Sequence, residues 1–75
     1  MSALLEKYDV SVEFLIEEVR DHVDGSIDVE TIIIERVDNY LNINGPWLGL
    51  NFFTEEEGSA IFNETVEEVR RGYNA

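Results

Sequence analysis

The sequence predicts an all-α fold: a small bundle of three or four helices, with an apolar loop or short extended segment around residues 46–53. Three observations carry this prediction. Apolar residues recur at steps of three and four in three separate stretches. Each stretch opens near a residue suited to cap a helix. The breaker clusters Asp24-Gly25 and Asn42 to Pro46 fall between them.

From Leu4 the first apolar stripe runs through Leu5, Tyr8, Val12, Leu15, Ile16, Val19 and Val23. Ser2 can cap its start, and Gly25 is free to take positive φ at its end. Within the span, Tyr8-Asp9-Val10-Ser11 also reads as a turn, with Ser11 capping a fresh helix. One long helix and two shorter ones both fit. The second unit opens on Asp28 as N-cap, with Ile27 placed to pack on Ile32 as a hydrophobic staple. Its apolar residues, Val29, Ile32, Ile33, Ile34, Val37, Tyr40 and Leu41, cover more than one face, as in a central helix touched on two sides. The three consecutive isoleucines also suit a buried strand.

After Pro46 comes the most apolar stretch, Trp47-Leu48-Gly49-Leu50-Asn51-Phe52-Phe53, too short for a long helix. Thr54 with Glu57 then forms a capping-box signature for a last helix reaching about Tyr73. Ile61, Phe62, Val66, Val69 and Tyr73 form its expected inner face, with Glu67 and Arg71 as an outward i,i+4 pair. Glu55, Glu56 and Glu57 suit a helix N-terminus, where the dipole favours negative charge. Phe14 to Val19 echoes Ile32 to Val37 at an offset of eighteen, a similarity that amphipathic helices produce without duplication.

Composition bounds the function. A chain of 75 residues forms one domain, residues 1–75, and buries only about 60% of its unfolded surface. Cysteine is absent, which removes disulfides and thiolate zinc sites. At 44% hydrophobic the chain is too apolar to read as disordered. No apolar run spans a bilayer and no secretory leader is apparent, so an intracellular, cytoplasmic protein is expected. Seventeen acidic side chains against five basic ones give a net charge of -12, which disfavours direct contact with nucleic acid or anionic lipid. Salt adaptation is an alternative source of such charge. Twelve glutamates to five aspartates and seven isoleucines speak against it.

The chemical motifs are few. Asp24-Gly25-Ser26-Ile27-Asp28 is similar to the middle of an EF-hand loop, but with Gly25 sixth the first and twelfth positions fall on Arg20 and Thr31, which are not carboxylates. Residues Leu4 to Leu15 resemble the turn of a bacterial helix-turn-helix domain, with Asp9 where glycine is usual. That resemblance implies local packing. The helix that would enter DNA carries Glu13, Glu17, Glu18 and Asp21, which repel phosphate. His22 is the single histidine and reads as an exposed helix-end residue. No nucleophile–base pair or phosphate loop appears, so catalysis, cofactor and metal are not expected.

The acidic layout is the informative feature. Glu13, Glu17 and Asp21 stand at i, i+4 and i+8, Asp24 continues the row, and Glu64 with Glu68 repeat it in the last helix. Like charges at that spacing are destabilising by a few tenths of a kcal/mol per pair, and a solvated helix ordinarily mixes signs. Two expectations follow. The first is a small acidic inhibitor that occupies the nucleic-acid-binding site of a larger basic protein or complex. In charge layout it is similar to the DNA mimics of phages and mobile elements, such as anti-restriction and anti-CRISPR proteins. Its partner-binding residues would be Glu13, Glu17, Asp21, Asp24, Trp47, Glu64 and Glu68. The alternative is a helical dimerisation or adaptor module that binds a partner, or a second copy, through Trp47–Phe53.

Overall fold

Among the described residues, four helices follow one another: α1 (Ala3–Lys7), α2 (Val12–His22), α3 (Val29–Ile43) and α4 (Glu55–Asn74). The computed structural model describes residues 3–43 and 55–75. Among these there is no strand, and the helices pack as a small bundle. Ser2, Thr54 and the Trp47–Phe53 stretch lie outside the described residues.

The first apolar stripe is divided between two helices. Asp9 takes φ 55, the left-handed region that stops a helix. The Val10 N–H donates to the Leu5 carbonyl at 3.0 Å and the Asp9 N–H to the Glu6 carbonyl at 3.1 Å, the bonding pattern of a Schellman motif. Val10 and Leu5 are both buried, which supplies the motif's apolar contact. Ser11 then caps α2, its hydroxyl accepting from the Phe14 N–H at 3.4 Å. The Ser11 N–H donates to the Tyr40 hydroxyl on α3 at 2.9 Å, so this helix start is also held from outside.

At its far end α2 stops at Val23 in extended conformation, and Gly25 takes φ 87 two residues later, inside the turn rather than as the cap itself. The Ile32 N–H donates to the Asp28 carbonyl as α3 begins. Ile27 remains 47% exposed, a weaker staple than its spacing suggests. The three isoleucines are helical. Ile32 and Ile33 are buried, whereas Ile34, a further 100° round the helix, is 44% exposed.

The core draws on every helix: Leu5 from α1, Leu15 and Val19 from α2, Ile33, Val37 and Leu41 from α3, Ile61 and Val69 from α4. Helix α4 packs against the other three, and α3 is touched by both α2 and α4, the central position its wide apolar coverage predicts. Helices α2 and α3 run antiparallel, since Ser11 meets Tyr40 while Glu18 meets Arg36 at 3.8 Å. Gly72 permits a close approach: a Cβ there would stand 2.3 Å from the Ile16 Cδ1 of α2.

The expected inner face of α4 is present, with one addition. Thr65 is fully buried, and its hydroxyl donates to the Ile61 carbonyl at 2.7 Å, so its polar group is satisfied within the helix. The outward pairing differs from expectation. Arg71 pairs with Glu68 at 2.9 Å and Arg70 with Glu67 at 3.5 Å, both at i,i+3.

Candidate functional site

Helix α2 turns Val12, Leu15 and Val19 inward, and the helical period therefore puts Glu13, Glu17 and Asp21 outward. All three are exposed. Four residues at 1.5 Å rise set successive carboxylates about 6 Å apart along the axis. Glu17 meets Arg20 at 3.1 Å in an exposed pair, the kind that contributes little to stability. Among the described residues Glu13 and Asp21 have no ion pair. On the same solvent-facing side stands Phe14, 51% exposed, its ring centroid 5.9 Å from that of Tyr40 at a tilt of 40°. The face thus combines negative charge with an uncovered aromatic.

Asp24 is placed differently. It lies in the turn beyond α2, where one carboxylate oxygen accepts from the Ser26 N–H at 2.9 Å and the Ser26 hydroxyl at 2.7 Å. Those bonds, the backbone one foremost, hold its pKa below the ordinary aspartate value. Its first task is to shape the turn. His22 is exposed at the end of α2, with Nδ1 2.8 Å from the Glu18 carbonyl.

Glu64 and Glu68 occupy one stripe of α4 together with Gly72, by the i, i+4, i+8 relation. Gly72 abuts Ile16, so this stripe borders the seam between α2 and α4. Both carboxylates are half-buried, and Glu68 is engaged by Arg71. Each row thus has one carboxylate in an i,i+3 ion pair, and the rows differ in exposure: the α2 carboxylates are exposed and the α4 ones half-buried. Trp47 lies outside the described residues.

Charge contacts between helices are invisible to a spacing rule. Glu30 of α3 receives Arg70 of α4 through two carboxylate oxygens, with Nε at 2.9 and 3.1 Å and a further contact from a terminal nitrogen. The Arg70 hydrogen bonds hold the Glu30 carboxyl below the ordinary glutamate value. Tyr8 donates to Glu57 at 3.0 Å, joining α1 to α4, and Lys7 lies 5.3 Å from the Tyr8 ring centroid. Desolvation, then the Glu57 carboxylate, raises the Tyr8 pKa.

Beside the Glu30–Arg70 pair, α3 and α4 enclose an open groove of about 340 Å³ floored by Ile34, Phe62 and Val66. No group of three or more histidine, aspartate or glutamate side chains among the described residues is arranged to hold a metal ion. No described helix is long and apolar enough to cross a membrane. No protein-family model, curated protein or solved structure matches the chain.

Proposed function

We propose that this chain is a small acidic inhibitor that occupies the nucleic-acid-binding site of a larger basic protein, in the manner of the DNA mimics of phages and mobile elements, and acts inside the cell. The observation that carries the reading is the outer face of α2, where Glu13, Glu17 and Asp21 stand exposed beside an exposed Phe14. Carboxylates about 6 Å apart can replace phosphates against lysine and arginine. Phe14 adds an apolar contact that a phosphate backbone lacks. Asp24, Glu64 and Glu68 extend the negative surface, and Trp47 provides an anchor of the kind that dominates interface energies.

The test is capture followed by competition. The immobilised chain should retain a basic nucleic-acid-binding protein from a bacterial lysate, and a duplex oligonucleotide should displace it. The Glu13→Lys/Glu17→Lys/Asp21→Lys variant should capture nothing while keeping its native circular dichroism. Undiminished capture by that variant, or failure of the oligonucleotide to compete, would overturn the reading.

A further inference from the structure

The groove between α3 and α4 lies away from the acidic face of α2. By the helical period, Phe62, Val66 and Arg70 fall on the flank of α4 opposite Glu64, Glu68 and Gly72. Its floor is apolar, and among the described residues nothing covers it: Ile34 is 44% exposed and Phe62 is half-buried. An isolated exposed isoleucine needs no explanation, but one set in a trough beside a half-buried phenylalanine forms a continuous apolar strip. The volume, about 340 Å³, is at the small end of ligand cavities, and the trough is open to solvent. Such a shape suits the side chains of an element laid along it better than a small molecule enclosed within it.

The surrounding charge selects the occupant. Arg70 is the basic residue lining the groove, and two carboxylates, Glu30 and Glu67, already engage it. Asp38, one turn beyond Ile34 on α3, is exposed and among the described residues has no ion pair. A second copy of this chain would bring a further charge of -12 to this surface and be repelled, as would nucleic acid or an anionic bilayer. We infer that the α3–α4 groove is a docking site for a basic amphipathic helix of a partner protein, whose apolar face would cover Ile34, Phe62 and Val66 while its lysines or arginines meet the acidic rim. Two antiparallel helices with an apolar trough between them present the surface used in helix-in-groove recognition. The inference rests on the groove alone and stands apart from the nucleic-acid-site reading.

The probe is an 18-residue peptide of leucine and lysine with leucines at helical spacing. Its control has the same composition in an order that spreads the leucines round the helix. Methyl NMR of the chain should show saturable shifts at Ile34 and Val66, with the patterned peptide binding at least tenfold more tightly than the control. Ile34→Ser, at an exposed position, should keep native circular dichroism and lose at least tenfold in peptide affinity. Equal affinity for the two peptides would mean charge attraction alone and would overturn the inference, as would shifts confined to α2. Two findings on the free chain would also overturn it by assigning the groove another occupant. One is nuclear Overhauser contact between the Trp47 indole and Ile34. The other is a dimer in sedimentation that Ile34→Ser dissolves.

Discussion

Asp9 holds the junction between α1 and α2 in a conformation that costs an L-residue about 1–2 kcal/mol and glycine far less. Asp9→Gly should therefore raise stability by about 1 kcal/mol in urea titration, the extra entropy of glycine in the unfolded chain offsetting part of the gain. Asp9→Val, which adds β-branching at the same φ, should lower it. If both variants are neutral, the turn is not held in the left-handed region. Glu30 gives a second residue-scale expectation. Its folded pKa is depressed by Arg70, so its contribution is present above the unfolded glutamate value and lost as pH falls through the folded one. Glu30→Gln should thus melt below the wild type at pH 7, with the gap closing below about pH 4. A gap independent of pH would mean that the glutamine, not the lost charge, is responsible.

Elements differ in how far they could be read from the chain. The period-3.6 stripes located α2, α3 and α4, because a helix stabilised by tertiary packing must turn its apolar residues to one side. The spacing leaves the break at Asp9 open, since Leu5, Tyr8 and Val12 keep helical steps across it and only the backbone resolves the two cases. Glu30–Arg70 and Glu18–Arg36 could not be paired in advance, because the relative rotation of two helices is fixed by their packing. Buried Thr65 escapes an apolar pattern for a related reason: its hydroxyl bonds its own helix, so it behaves as an apolar residue in the core. In the candidate site, outward placement of Glu13, Glu17 and Asp21 was legible. Phe14 also falls off the apolar stripe, but its standing half open against Tyr40 depends on how α3 packs on α2. Helix α1 has five residues, too few to be stable alone. Its docking rests on fully buried Leu5 and the Tyr8–Glu57 bond, so Leu5→Ala should release it. Amide exchange should then rise first in residues 3–8 while Val19 and Val69 stay protected. Uniform loss of protection would show instead that α1 is integral to one cooperative unit.

Across the whole molecule the net charge of -12 acts in opposite directions on folding and on association. Bringing many like charges together disfavours the compact state, whereas the same field draws a basic partner and speeds its approach. Salt distinguishes the two effects. At 0.01 M ionic strength the Debye length is about 30 Å, nearly the length of the molecule, and at 0.1 M it falls to about 10 Å. The described ion pairs also weaken with salt, but all are partly exposed and, apart from the two-oxygen Glu30–Arg70 pair, each counts for little. Raising sodium chloride from about 0.01 to 0.1 M should therefore increase Tm of the free chain, by about 4–8 °C for each kcal/mol of repulsion removed. Over the same interval affinity for the basic partner should fall. The Glu13→Lys/Glu17→Lys/Asp21→Lys variant changes the net charge by two units at each position, from -12 to -6. Its Tm should rise less steeply with salt. A wild-type Tm that falls as salt is added would show that paired charges outweigh repulsion. The acidic rows would then be a source of stability rather than a cost carried for binding.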